Sequence, residues 1–366
     1  MHVAMIIDDE RLEQEQSMLA RLCIGLLAEG MLVTRIVSDR PKPESIGISE
    51  QRLALAPRIS TTIHVLPWMR RPRTLRVMEQ LDRSIPDVLY AVGEGAWGLG
   101  IDLGIEIERP VVIDVSSTAQ VETAPKPDRA PPVAGYVASS HALARMLGER
   151  VEKELVSAVP IGVSIPPQPR KCEIDPDRPL ALGIIGKARD VRAYAVLLEA
   201  IALTTQRGIE LEVILELSGP REHEIWKHAE RLDIIRCVSA IGEASLYRTL
   251  MTRCDALLLP ERTGQPRSIM LEAMVLGIPV IALADPAVDM LVNGETADLV
   301  GSMRKDDWAG LLARLVDDPE HSRAIGQGAR SFISAHHKSS DQVNRLIHVL
   351  DRASTGGTMR FQAAKP

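Results

Sequence analysis

The chain has 366 residues, of which 45% are hydrophobic and 25% charged, and its formal net charge is −6. These are ordinary globular values, and the length predicts two domains because single cores usually hold about 100–200 residues. The negative charge argues against nucleic acid as a partner, and an aromatic content of 3% argues against a lectin-like sugar surface built on aromatic rings.

The cysteines and the N-terminus point to a cytoplasmic protein. The four cysteines form no Cys-x-x-Cys pair, so neither a zinc site nor a disulfide framework is predicted, and we expect no metal and no cofactor. The first residues lack the basic flank and the long apolar stretch of a signal peptide. No stretch of roughly 18 uninterrupted apolar residues is present, so we expect membrane contact to be peripheral at most.

In the first half of the chain, short apolar runs alternate with longer segments of helical period, a pattern typical of parallel βαβ units. Leu19, Leu22 and Leu26 lie on one face of a predicted helix that ends at Gly30. Residues 1–163 are therefore expected to form one doubly wound lobe. Its strands are predicted near residues 2–7, 31–37, 61–66, 87–91, 110–115 and 134–138.

Five prolines in residues 164–179 predict a stiff linker, after which the alternation starts again. Residues 180–338 are predicted to form a second Rossmann-like lobe, 339–354 a terminal helix and 355–366 a flexible tail. The predicted fold class is α/β, with two doubly wound lobes whose strand ends face a central cleft. In the second lobe, strands are predicted near residues 180–185, 211–217, 235–240, 255–259 and 278–282, and helices near 191–206, 221–232, 244–253, 267–276, 306–316 and 319–336.

A basic turn, Gly186 to Arg192, follows the first predicted strand of the second lobe and opens a helix. Backbone amides and three basic side chains meet there at a helix N-terminus, which is a physical anion site. A solvated turn with cations on its surface is an equally good interpretation of this segment alone.

Glu272 stands within an otherwise apolar predicted helix. A buried carboxylate is unfavourable unless it accepts hydrogen bonds, which the hydroxyls of a ligand could donate. The alternative is that Glu272 caps a neighbouring loop.

Two segments resemble a known family, the retaining GT-B glycosyltransferases of family four, which take sugar from a nucleotide diphosphate. Leu271–Met274, followed by Gly277–Ile281, is similar to the family's Leu-Glu-Ala-Met-x-x-Gly-x-Pro-Val-Val signature. Residues 186–200 resemble its Gly-Arg-x(4)-Lys segment, with Lys187 and Arg192 at the two cationic positions. The resemblance covers roughly residues 1–350 and implies an N-terminal acceptor lobe and a C-terminal nucleotide-sugar lobe.

The resemblance also implies roles for individual residues. Lys187, Arg192 and Gly186 would bind the donor diphosphate, and Glu272 would bind the ribose. Two cations and a helix N-terminus can neutralise a diphosphate leaving group without a metal. The donor loop and the strand end beside the nucleobase would be formed by Gly264, Gln265 and Arg267, and by Ile241 and Gly242. No catalytic residue is assigned.

Three departures from the family pattern concern the sugar and acceptor side. Gly264 stands eight residues before Glu272, where the family has a second carboxylate. Glu13 and Gln14 stand where the family has a Gly-Gly pair before the first helix, and a glutamate there would repel a diphosphate. Ser116 replaces a histidine that commonly follows the Pro-Val-Val strand.

The first hypothesis is therefore a retaining, nucleotide-sugar-dependent hexosyltransferase acting on an unknown acceptor. The alternative is a catalytically silent, glycosyltransferase-like protein that binds a nucleotide or a partner protein. A GT-B isomerase is a third possibility, but the carboxylates or histidines that it would need in the cleft are not found.

Overall fold

The computed structural model describes residues 1–39, 55–81, 84–168, 178–186, 188–216, 221–241 and 249–363, with side chains up to residue 356. The predicted site residues Lys187 and Gly242, the linker residues 169–177 and part of the helix predicted at 244–253 lie outside this described part. The chain divides into two compact units. Unit 1 comprises Met1–Gly162, Gln265–Ser268 and Ser339–Pro366, and unit 2 comprises Val163–Gly264 and Ile269–Lys338.

Unit 1 is built on a seven-stranded sheet with the strand order β3-β2-β1-β4-β5-β6-β7, in which every pair is parallel. The strands are β1 (His2–Ile7), β2 (Leu32–Ser38), β3 (Arg58–Thr61), β4 (Val88–Val92), β5 (Val111–Val115), β6 (Val133–Ala138) and β7 (Val156–Ala158).

The helices of unit 1 follow the strands in the alternation that the sequence predicts. They are α1 (Asp9–Ala28), α2 (Arg70–Leu81), α3 (Glu94–Glu106), α4 (Thr118–Thr123), α5 (His141–Gly148) and the terminal helix, which runs over Ser339–Ala363. Short 3₁₀ turns span Pro67–Met69 and Lys153–Leu155.

The first helix buries the apolar face predicted for it and ends before Gly30, whose φ of 77° suits a residue without a Cβ. It begins at Asp9, before the Glu13–Gln14 position expected from the family pattern. Asp8 caps this early start by accepting a hydrogen bond from the Arg11 amide. Asp9 and Glu10 add acidic side chains to its first turn, where the helix dipole favours them.

Unit 2 contains a second parallel sheet of six strands in the order β10-β9-β8-β11-β12-β13. Its strands are β8 (Leu180–Ile184), β9 (Leu211–Glu216), β10 (Val238–Ile241), β11 (Ala256–Leu259), β12 (Val280–Leu283) and β13 (Asp298–Val300). Its helices are α6 (Val191–Gln206), α7 (Glu222–Arg231), α8 (Ser268–Leu276), α9 (Lys305–Asp317) and α10 (Pro319–His336).

Both units are thus Rossmann-like, and the predicted α/β fold class is confirmed. The core of unit 2 is a cluster in which β8 and β9 pack against α6 and α9, with Tyr194 and Trp308 among its largest buried side chains. Strands that are buried on both faces explain why these segments are continuous apolar runs in the sequence.

Several element bounds differ from those predicted. β3 covers Arg58–Thr61, not residues 61–66, and the polar residues Thr62 and His64 follow it outside the sheet. The terminal helix continues to Ala363, beyond the predicted start of a flexible tail, because no proline interrupts it and a helix already begun extends easily. The short strands β7 and β13 carry too few residues for a period to be recognised.

Within the described ranges, no helix combines the length and the apolar character needed to cross a bilayer.

Candidate functional site

The strand order of unit 2 reverses at β8, which has β9 on one side and β11 on the other. Ligands of open α/β sheets bind at such a switch point, outside the carboxyl ends of the strands. Gly186 follows β8 there, and Glu261 follows β11. Because the two strands are neighbours, these two residues meet although 75 positions separate them in the sequence.

Gly186 is confined by two side chains. A Cβ placed on it would lie 2.0 Å from the hydroxyl oxygen of Tyr194 and 2.7 Å from Oε2 of Glu261. Both neighbours are buried, Tyr194 fully and Glu261 to 7% exposure. Only glycine fits here without movement, so this position is set by close packing.

The N-terminus of α6 is occupied by a carboxylate of its own. The side chain of Asp190 accepts hydrogen bonds from the amides of Arg192 and Ala193, at 3.0 and 3.2 Å. The amide of Asp190 in turn donates to Oε1 of Glu261 at 2.7 Å. Two carboxylates, Asp190 and Glu261, therefore bind backbone amides at this turn, and the exposed Arg192 side chain lies beside a helix end that is already capped.

Glu261 lies at this switch point, although the family motif does not include it. By sequence it is out of register with the family's second carboxylate, whose position Gly264 occupies. The signal that could have found it is topological, because it directly follows a strand that neighbours β8. A carboxylate in this position reduces the positive potential of the turn, so Glu261 limits how much anionic charge Gly186–Arg192 can hold.

Glu272 lies on α8, and the structure corrects the expectation that it is buried. The other residues from Ser268 to Val275 are all buried, whereas Glu272 is partly exposed. The carboxylate thus takes the one position of this stretch that reaches solvent, which lowers the desolvation cost that a fully buried charge would carry. A helix with a single solvent-facing carboxylate is well suited to contact a ligand.

The loop before α8 has a left-handed residue, Gly264, which is fixed by one hydrogen bond from its backbone amide. Its φ is 62°, which is strained for any residue with a Cβ, and its amide donates to Oδ2 of Asp285 at 2.7 Å. A glutamate at this position would carry the cost of a left-handed conformation. The left-handed backbone at position 264 therefore favours glycine over the glutamate that the family has there.

Gln265 and Arg267 belong to unit 1, unlike Gly264. Within that unit the Gln265 side-chain amide donates to Oε1 of Gln14 at 2.9 Å, and the Ser268 amide donates to both carboxylate oxygens of Glu15 at 3.2 Å. The predicted donor loop is thus divided between the two units. Ile241, the residue predicted beside the nucleobase, ends β10 in unit 2 and is partly buried.

Unit 1 has a switch point of the same kind between β1 and β4. Asp8 follows β1, and its carboxylate accepts hydrogen bonds from the amides of Arg11 and Gly95 at 2.7 and 2.9 Å. Gly93 follows β4 with a φ of 86°, and a Cβ on it would lie 2.4 Å from Oδ2 of Asp8. Burial raises the pKa of Asp8, and the two amide hydrogen bonds oppose that shift.

Arg11 and Asp114 form a buried charge cluster beside this switch point. The Nε of Arg11 lies 3.6 Å from Oδ2 of Asp114, and its Nη1 lies 4.0 Å from Oε1 of Glu15. The hydroxyl of Tyr90 donates to Oδ1 of Asp114 at 3.2 Å. Burial raises the pKa of Asp114, whereas the Arg11 guanidinium lowers it. With Asp8 nearby, three carboxylates share one guanidinium, so this edge of unit 1 is acidic.

The other two departures from the family pattern, at Glu13 with Gln14 and at Ser116, lie in unit 1. Glu13 and Gln14 lie in the first part of α1, which starts at Asp9, and directly before Glu15, where the backbone angles leave the helical range. Glu13 is exposed and Gln14 is buried. Ser116 donates from its amide and its hydroxyl to Oε1 of Gln120, at 2.6 and 3.0 Å, so its polar groups serve a local turn.

Comparison with solved structures shows the type of fold. Two Rossmann-like units of this kind match the GT-B fold of glycosyltransferase structures. Anabaena Alr3699/HepE, in complex with UDP and glucose, aligns with a TM-score of 0.73 over 95% of this chain and 99% of that chain, at 16% identity. Sucrose-phosphate synthase from Thermosynechococcus elongatus aligns with a TM-score of 0.75 over 97% and 99%, at 14% identity.

The sequence comparisons each cover only part of the chain. Residues 166–332 match the family described as Glycosyl transferases group 1. The chain is 28% identical over 186 residues to the MMP alpha-(1->4)-mannosyltransferase of Mycolicibacterium hassiacum, covering 49% of this chain and 44% of that protein. It is 29% identical over 173 residues to the D-inositol 3-phosphate glycosyltransferase of Actinosynnema mirum, covering 44% and 41%. The chain therefore matches less than half the length of these relatives.

Proposed function

We propose that this protein is a glycosyltransferase that moves a sugar from a nucleotide-diphosphate donor to an acceptor, with retention of configuration at the anomeric carbon. The observation that carries the proposal is Glu272, the one solvent-reaching position between Ser268 and Val275. It lies within the stretch that matches the group 1 glycosyltransferases. A structural neighbour crystallised with UDP-glucose supports a nucleotide sugar as donor.

In this proposal unit 2 binds the nucleotide. The Glu272 carboxylate accepts hydrogen bonds from the ribose hydroxyls, while Lys187 and Arg192 face the diphosphate. Gly186 allows the backbone to approach the diphosphate closely, and Ile241 and Gly242 lie beside the base. Charge-assisted hydrogen bonds of this type stabilise a leaving diphosphate without a metal ion, so we propose no metal and no further cofactor.

Unit 1 would supply the acceptor side. Its switch point presents the carboxylates of Asp8, Glu15 and Asp114 with one guanidinium, that of Arg11. Such a cluster disfavours a negatively charged acceptor, so a neutral or cationic acceptor is proposed. The D-inositol 3-phosphate enzymes among the relatives are, by their name, different in this respect.

The donor site is tested by calorimetry with UDP, GDP and ADP. Glu272→Gln should weaken the binding of the preferred nucleotide roughly tenfold, because a charged hydrogen-bond acceptor is lost. The matched control is Glu230→Gln, which makes the same change at an exposed helical position of unit 2 and should leave affinity unchanged. Equal affinities for both variants would remove Glu272 from the site.

The transfer reaction is tested separately with UDP-, GDP- and ADP-sugars. Hydrolysis or transfer by the wild-type protein is expected, and nuclear magnetic resonance of the product should show the donor's anomeric configuration. Nucleotide binding without any turnover across the panel would instead identify a silent, nucleotide-binding relative. An inverted product would overturn retention while leaving the donor site in place.

A further inference from the structure

Unit 1 carries apolar side chains in solvent next to one another in the chain. Leu66, Trp68, Met69 and Leu75 are 55%, 73%, 47% and 36% exposed. The other three tryptophans, Trp97, Trp226 and Trp308, are buried or packed against the core. Leaving an indole of this size in water is unfavourable, so the exposure of Trp68 points to a surface that another phase or molecule covers.

The charge of this segment is opposite to that of the chain. Residues 66–76 contain four arginines and no acidic residue, whereas the whole chain has 43 basic and 49 acidic residues. Arg73 is buried and Arg70 exposed, and both bind Asp102 at distances of 2.6–3.0 Å. Arg71 and Arg76 are exposed, and neither has an ion pair within the part of the chain that the structure describes.

The exposed side chains of α2 share one face of that helix. Helix α2 packs into unit 1 through Arg73, Thr74, Val77 and Leu81. At 100° per residue, Arg71, Leu75 and Arg76 therefore lie on its outer face, and the Pro67–Met69 turn leads directly into it. We call Leu66, Trp68, Met69, Arg71, Leu75 and Arg76 the Trp68 surface.

The segment that carries the Trp68 surface begins on the side of unit 1 where the strands have their carboxyl ends, which is also the side of the switch point. The segment follows β3, so it starts at the carboxyl ends of the parallel strands. His64 borders the switch point itself, because a Cβ on Gly95 would lie 2.6 Å from its Cε1 atom. The segment that carries the Trp68 surface therefore begins beside the switch point of unit 1.

We propose that the Trp68 surface docks on an anionic lipid bilayer. Tryptophan is enriched at the headgroup level of membranes, aliphatic side chains enter the boundary with the acyl chains, and arginines pair with anionic headgroups. Clustered apolar and basic side chains without any acidic residue match that combination in both hydropathy and charge. The docking is independent of the transfer reaction, and it brings the carboxyl edge of unit 1 to the membrane surface.

Co-sedimentation of the full chain with vesicles tests this docking. We expect the protein to sediment with vesicles of equal parts phosphatidylglycerol and phosphatidylcholine, and not with phosphatidylcholine alone. Added salt should release it, because exposed charges are screened. Trp68→Ala should weaken binding roughly tenfold. Arg71→Gln and Arg76→Gln should each weaken it roughly fivefold.

Ile85→Ala and Arg145→Gln are the matched controls, since Ile85 is 51% exposed and Arg145 lies on the exposed face of α5. Both should bind like the wild type. Circular dichroism should show the same melting temperature for all five variants, because the changed side chains are exposed. Binding to both vesicle types alike, to neither, or undiminished in Trp68→Ala would overturn the proposal. So would a dimer in gel filtration that Trp68→Ala dissociates without any vesicle binding.

Discussion

Gly186 shows how a single residue can serve two requirements. Its backbone must approach a ligand in the proposed donor site, and its missing side chain leaves room for the Tyr194 hydroxyl and the Glu261 carboxylate. The family resemblance concerns only the first requirement. The second is a packing constraint within unit 2, and it can be tested without any substrate.

Gly186→Ala should destabilise unit 2, because the new methyl group would overlap the Tyr194 hydroxyl, and overpacking of this kind costs about 1–3 kcal/mol. Urea unfolding measures the loss. Adding Tyr194→Phe should recover part of it by removing the nearest oxygen, while the Glu261 contact remains.

The control for this experiment is Gly301→Ala in the same unit, where a Cβ would meet no atom within 4 Å. It should leave the free energy of unfolding nearly unchanged. If Gly186→Ala were as harmless as this control, or if Tyr194→Phe gave no recovery, the packing explanation would be wrong.

At the scale of the element, the first helix is the clearest departure from the family pattern. The family's glycine pair leaves an open turn before its helix, whereas here Asp8 starts the helix at Asp9 and carries it through Glu13 and Gln14. The backbone angles leave the helical range at Glu15, with φ of −124° and ψ of 25°. The helix is thus extended by its cap and interrupted near the point where the family's helix would begin.

Asp8→Ala should destabilise unit 1 by about 2 kcal/mol, because a cap is lost and the Gly95 amide loses its acceptor. Asp8→Asn should cost less, since an amide oxygen can still accept one of these hydrogen bonds. Urea unfolding compares the two variants, and an equally large loss for both would show that charge matters more than hydrogen bonding.

For the whole molecule, both units have the same arrangement of a glycine and a carboxylate at the point where the strand order reverses. Each sheet reverses at its first strand, and at each reversal a glycine packs against a carboxylate, Gly93 against Asp8 and Gly186 against Glu261. In both units the carboxylate at the reversal is buried, but unit 2 also has Glu272, which is partly exposed. The proposal that the nucleotide binds unit 2 rests on this difference.

The buried carboxylates of unit 1 make stability depend on pH. Burial raises the pKa of Asp8 and of Asp114 above the values in the unfolded chain. At a pH between the unfolded and the native pKa, the native state therefore binds more protons than the unfolded state. The free energy of unfolding should therefore fall as pH rises above about 4 through the native pKa values. Asp114→Asn should flatten this fall, because asparagine does not titrate.

Urea unfolding at a series of pH values, for the wild type and for Asp114→Asn, measures the two slopes. Asp102→Asn provides a control at a less buried carboxylate of the same unit. Parallel slopes for the wild type and Asp114→Asn would show that Asp114 does not contribute to the pH dependence.

Much of the fold follows from local pattern. The βαβ alternation and the continuous apolar runs of strands that are buried on both faces identified both Rossmann-like units, and α6 and α10 begin and end where their periods predict. The Leu271–Met274 and Gly277–Ile281 segments pointed to the glycosyltransferases because a motif is contiguous in the chain. These features depend on neighbouring residues, which a sequence displays directly.

Other features exist only after folding. The meeting of Gly186 with Glu261, the cluster of Arg11 with Asp114, and the exposure of Glu272 and Trp68 each depend on which strands are neighbours and which helix faces are covered. The sequence by itself determined the class of fold and the segments in which the donor site is proposed. The tertiary structure decided which charges are buried together and which reach solvent, because burial is a property of packing between residues that are distant in the chain.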